Sequence, residues 1–119
     1  RLAALIHKAV SYDPKAIEAG EALDMATREG AKCLGYDDLG ELREGWLADI
    51  ILIDRSGFNW KPDFNDVSIA VYAANSRDVD TVIINGKPVM INKELLTIDT
   101  ERLDYEVNRV VKELYGDLN

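Results

Sequence analysis

The chain has 119 residues, with 14 Lys plus Arg against 22 Asp plus Glu and a formal net charge of −8. With 47% hydrophobic and 30% charged residues it can build one packed core, which argues against a disordered or collagen-like chain. The acidic balance, without any Lys/Arg run, argues against a nucleic-acid or anionic-membrane surface, and no apolar stretch nears the roughly 20 residues of a membrane span.

Leu2, Leu5, Ile6, Ala9 and Val10 fall on one face of a first helix. No Ser, Thr, Asp or Asn precedes it to cap the first turn, and the chain opens on Arg1 rather than Met. Both features lead us to expect a fragment of a longer protein. Asp13-Pro14 reads as cap and first-turn proline of a short helical turn through Glu18. A second helix is predicted from about Gly20 to Leu34, with the mostly small face Leu23, Ala26, Thr27, Gly30, Ala31 and Leu34, and with Gly35 as left-handed C-terminal cap.

From Gly40 the pattern turns strand-like. Gly40 to Gly45 is a polar turn, and Ile50-Ile51-Leu52-Ile53, apolar on both pleat faces, predicts a buried strand. Arg55 to Asp66 reads as an irregular loop, and Val67 to Ala74 is compatible with helix or strand. Val79 to Ile84 is a strand, Asn85-Gly86 a tight hairpin turn, and Lys87 to Ile91 the return, with Pro88 at an edge or facing away from the ladder. Leu103, Val107, Val110, Val111 and Leu114 mark a last amphipathic helix, capped by Asp99 or Thr100 and stopped at Gly116.

The chemistry-bearing residues are sparse. One His, one Cys, and no His-x-His, Cys-x-x-Cys, Gly-x-Ser-x-Gly or phosphate loop make a complete active site improbable. His7 lies one position off the first helix's stripe, so a surface or structural imidazole is the reading over a metal ligand. Cys33, at a helix C-terminus that opposes an anion, reads as an inert thiol; as a lone cysteine it fits a reducing compartment without demonstrating one, and a cytoplasmic location is the expectation. Asp37 and Asp38 read as a solvated turn, Asp49 and Asp54 as strand-end caps, and Trp46 and Trp60 as core or interface packing. No catalytic, cofactor-binding or metal residue is assigned.

Three blocks in order, Ala22 to Gly35, Gly40 to Asp54 and Val79 to Val89, resemble the C-terminal third of amidohydrolase-superfamily enzymes. The opening Arg1 to Ala9 and Tyr72-Ala73-Ala74-Asn75 look most like the methylthioadenosine and S-adenosylhomocysteine deaminases and related chlorohydrolases. The resemblance implies an α+β chain: residues 1–39 as terminal helices of a (β/α)8 barrel, 40–97 as part of a small composite β-sandwich, and 98–119 as a C-terminal helix. It implies a parent enzyme in which metal-bound hydroxide, on zinc or iron, attacks an amidine-like or halogen-bearing ring carbon of a small-molecule substrate. The ligands would all lie before Arg1, and the Gly45-Trp46-Leu47-Ala48-Asp49 motif belongs to the sandwich. The fragment itself is expected to be inert scaffold, partnered by the N-terminal remainder of the same chain and prone to self-association. The alternatives are a fragment of a chlorohydrolase or other ring-amine hydrolase, or an independent α+β binding or assembly module.

Overall fold

A computed structural model describes residues 1–116 of the chain. Helix α1 (Leu2–Ser11) starts without a side-chain cap and ends where Tyr12 turns left-handed. The expected helical turn after Asp13 is a turn and not a helix: the Asp13 carboxylate accepts from the Lys15 N–H at 2.8 Å, and the chain stays irregular to Glu18.

The single helix expected over 20–34 is two helices, α2 (Ala19–Ala26) and α3 (Arg28–Cys33). Thr27 breaks them, at φ −119° and ψ −97°, with its hydroxyl donating back to the Leu23 carbonyl at 2.9 Å. That back-bond competes with the helical ladder. The loop at Gly40 also crosses the break so closely that a Cβ there would sit 2.7 Å from the Arg28 nitrogen. Gly35 closes α3 as expected. Its N–H donates to Lys32 and the Tyr36 N–H to Ala31, at 2.9 and 3.0 Å, which is a Schellman arrangement.

Four strands form one antiparallel sheet in the order β1 (Ile50–Ile53), β2 (Val79–Ile84), β3 (Lys87–Ile91), β4 (Glu94–Leu95). Segment 67–74, compatible with either element in sequence, is for the most part helix α4 (Asp66–Tyr72), capped by Asn65, whose side chain accepts from the Ser68 N–H. Asn85 and Gly86 take φ 48° and 73°, as a tight hairpin requires. Pro88 sits inside the sheet, in register with Ile83 of β2 next to a register shift and beyond the reach of β4, which pairs only Met90 and Ile91. The last hairpin, through Asn92 and Lys93 at φ 51° and 67°, and β4 itself carry no turn glycine for sequence reading to find. Helix α5 (Thr100–Tyr115) is capped by Asp99, which accepts from the Arg102 N–H at 2.9 Å, and it ends at Gly116.

The buried strand is the main correction. β1 is an edge strand, and Ile51 and Leu52 are 55% and 52% exposed. Only Ala4, Ile17, Ala31, Trp60 and Val71 are buried hydrophobics among the described residues. The accessible surface is 9440 Å², whereas a compact monomer of 13.3 kDa exposes about 6,500 Å². The radius of gyration is 18.7 Å, against roughly 13.5 Å for a compact domain of this length. The helices and the sheet therefore have apolar faces that this chain does not cover itself. No helix among the described residues is long and apolar enough to cross a membrane.

Candidate functional site

The densest polar cluster ties the 55–66 loop to the start of β2. Asn75 and Asp78 form a reciprocal capping box, and the Asp78 carboxylate accepts from the Asn75 N–H at 3.0 Å, Asn59 Nδ2 at 2.7 Å and Trp60 Nε1 at 3.1 Å. The Asp78 carbonyl accepts from the Asp54 N–H at 2.7 Å. Arg55 lies over the Trp60 ring, 5.7 Å from its centroid, and bridges Asp63 and Asp66. Trp60, 2% exposed, is the hub of this cluster.

A general acid or base needs a carboxylate with an unmet demand, and these have none. Asp78 lies below the ordinary carboxylate range, chiefly through the Asn75 N–H and then the Asn59 and Trp60 donors; Asp54 is lowered mainly by the Ser56 N–H, with Lys93 helping from 3.5 Å. Both are fixed anions at neutral pH. A carboxylate whose folded pKa is depressed stabilises fully above its unfolded value, near 3.8, and that contribution is lost as pH falls through the folded value. Urea midpoints measured across this range should therefore fall from about pH 4 downward, and Asp78→Asn should flatten that fall.

The residues singled out in the sequence do not converge. His7 is exposed on α1, and Cys33 is exposed at the end of α3. Asp37 and Asp38 are exposed in a turn whose Asp38 carbonyl accepts from the Leu47 N–H. Asp49 is structural. Its carboxylate accepts from the Asn85 N–H at 2.7 Å while the Ala48 carbonyl accepts from Gly86 at 2.9 Å, so the Ala48-Asp49 pair clamps the β2–β3 turn. Trp46 is half-buried under the Arg43 guanidinium, 4.5 Å from the ring centroid.

Among the described residues no three His, Cys, Asp or Glu come together as a metal's ligand set. The donors present do not fit a zinc or iron centre. An open cleft of about 450 Å³ between α1, α2 and α4 is lined by Lys8, Lys15, Glu18, Ser68 and Tyr72, without a nucleophile–base pair. Sequence reading misses the Asp78 cluster because its members lie in an aperiodic loop; Asn75-x-x-Asp78 is the one local signal, a capping-box spacing.

Residues 1–89 match the Amidohydrolase family. A 5-methylthioadenosine/S-adenosylhomocysteine deaminase from Acetivibrio thermocellus is 51% identical over 93% of this chain and 26% of its own length. The enzyme of that name from Dictyoglomus thermophilum is 44% identical over 96% and 27%. The fold is similar to part of an adenosine deaminase from Xanthomonas campestris with bound zinc, at TM-score 0.87 and 34% identity, covering 93% of this chain and 26% of that one. It is also similar to an atrazine chlorohydrolase from Arthrobacter aurescens complexed with zinc, at TM-score 0.77 and 33% identity, covering 92% and 25%. The chain spans about a quarter of the length of these relatives. The chain belongs to the amidohydrolase family.

Proposed function

We propose that this chain is the C-terminal part of a metal-dependent hydrolase that deaminates aminopurine nucleosides of the methylthioadenosine and S-adenosylhomocysteine class, in the cytoplasm, and that its own role is scaffolding. The observation that carries this reading is the match of more than nine-tenths of the chain to relatives named for that deamination, over a quarter of their length. The reaction replaces a ring amino group by the oxygen of water and releases ammonia. Among the described residues no candidate side chain meets the geometric demand of that step.

The excess exposed surface supports a scaffold reading. Residues 1–39 would supply helices to a barrel wall and 40–97 part of a sandwich, with strands from the remainder of the same polypeptide pairing the open edge of β1. The region 98–119 would be a separate helix, of which α5 is the described part. An independent binding module is disfavoured by an apolar edge strand whose central Ile51 and Leu52 are each more than half exposed.

A second reading, a ring chlorohydrolase, is favoured by the structural likeness to the Arthrobacter enzyme. The full-length gene product separates the two. Ammonia released from methylthioadenosine or S-adenosylhomocysteine supports the deaminase; chloride released from a chlorotriazine, with no ammonia from the nucleosides, overturns it.

A further inference from the structure

The Ala48-Asp49 clamp closes on the one Asn-Gly pair in the sequence, and that pair carries chemistry of its own. The backbone nitrogen that follows an asparagine can attack the asparagine's side-chain carbonyl, and a following glycine, without a Cβ, leaves that approach open. Asn85 and Gly86 are both exposed, and the Asn85 carboxamide makes no hydrogen bond among the described residues. What the fold holds is the other reactant. The Gly86 N–H donates to the Ala48 carbonyl at 2.9 Å, and the Asn85 N–H donates to the Asp49 carboxylate at 2.7 Å.

We propose that Asn85 is a self-modification site whose rate is set by opening of the Ala48-Asp49 clamp. The Gly86 nitrogen bonds to the Asn85 side-chain carbonyl carbon, the bond from that carbon to its amino group breaks, and ammonia leaves; the proton lost by the Gly86 nitrogen to solvent balances the one the leaving amino group takes up. Water then opens the cyclic imide at either carbonyl, leaving aspartate or isoaspartate at position 85. Two features of the fold oppose the first step. Swinging the Gly86 nitrogen toward the side chain turns the 85–86 peptide plane and takes its N–H off the Ala48 carbonyl. The nitrogen must also shed its proton, and the resulting anion would face the Ala48 oxygen, with the Asp49 carboxylate held at the neighbouring N–H. The closed clamp therefore keeps Asn85 unreacted, and each opening exposes a reaction that runs one way. Isoaspartate routes the main chain through its own side-chain carbon, so the tight turn gains a backbone atom and the Ile84–Lys87 pairing at its foot is lost.

This inference does not depend on the deaminase reading. The test incubates the full-length gene product in mildly alkaline buffer and follows conversion at Asn85 by peptide mass spectrometry, with opening at the Gly86 amide followed by hydrogen exchange. Conversion in the native protein is expected to be about tenfold slower or more than in the same protein unfolded in guanidinium, because it waits on local opening. Asp49→Ala is expected to speed Gly86 exchange and Asn85 conversion together, severalfold, with the circular dichroism spectrum unchanged. Asp49→Asn, which keeps an accepting oxygen but not the charge, should fall between the two. Equal rates in the native and the unfolded protein overturn the proposal. So does an Asp49→Ala protein that stays folded and converts no faster than the parent; if that variant unfolds, Asp49→Asn is held to the same criterion.

Discussion

Replacing Trp60 by alanine is expected to destabilise the protein by about 3–5 kcal/mol in urea unfolding, the cost of emptying a fully packed aromatic site. Trp60 is the largest of the few buried side chains, and three contacts depend on it at once. Its ring packs in the 55–66 loop, its Nε1 donates to Asp78, and its face lies under Arg55. Trp60→Phe separates packing from hydrogen bonding, and it should cost roughly 1–2 kcal/mol because Asp78 keeps its other two donors. Equal losses in the two variants would mean that the indole N–H, and not the packed ring, secures the loop.

Gly40→Ala is expected to cost about 2–5 kcal/mol, combining a left-handed backbone with overpacking. Gly40 has φ +93°, and an added Cβ would meet the Arg28 nitrogen at 2.7 Å and the Thr27 carbonyl carbon at 2.8 Å. Those are backbone atoms, so relief needs the loop to lift off the α2–α3 break. Lifting it also strains the Glu41–Arg28 ion pair at 3.4 Å. Gly45→Ala is the control: φ is +82° but a Cβ meets nothing, so only the conformational cost of about 1–2 kcal/mol remains. Equal melting shifts for the two variants would show that the close approach at Gly40 contributes nothing.

The two positions also mark where sequence reading succeeds and where it stops. Val79–Ile84 and its Asn85-Gly86 turn are legible because β-branched residues and a dipeptide tolerant of positive φ are local signals. The last helix is legible through its cap, stripe and stop residues. The break at Thr27 is not, because the small-residue stripe continues through it and the back-bond and Gly40 crossing are facts of the folded chain. The exposure of Ile51 and Leu52 is hidden for a related reason: an apolar run states what a strand needs, and the cover is supplied from elsewhere. The Asp78 cluster gathers residues 19 positions apart, which no periodicity announces. Resemblance identifies the family, and among the described residues no three His, Cys, Asp or Glu converge.

The proposed role of this chain is to support a reaction centre built outside it. It is tested most directly in the full-length gene product carrying His7→Gln, Cys33→Ser, Asp37→Asn and Asp38→Asn together, by measuring bound zinc and kcat for nucleoside deamination. Full zinc occupancy and a kcat within roughly twofold of the parent are expected, since even residues that only orient metal ligands cost about 10–100-fold when changed. Loss of the zinc, or a fall in kcat of about a hundredfold with the fold intact, would place the reaction centre inside this chain and overturn that role.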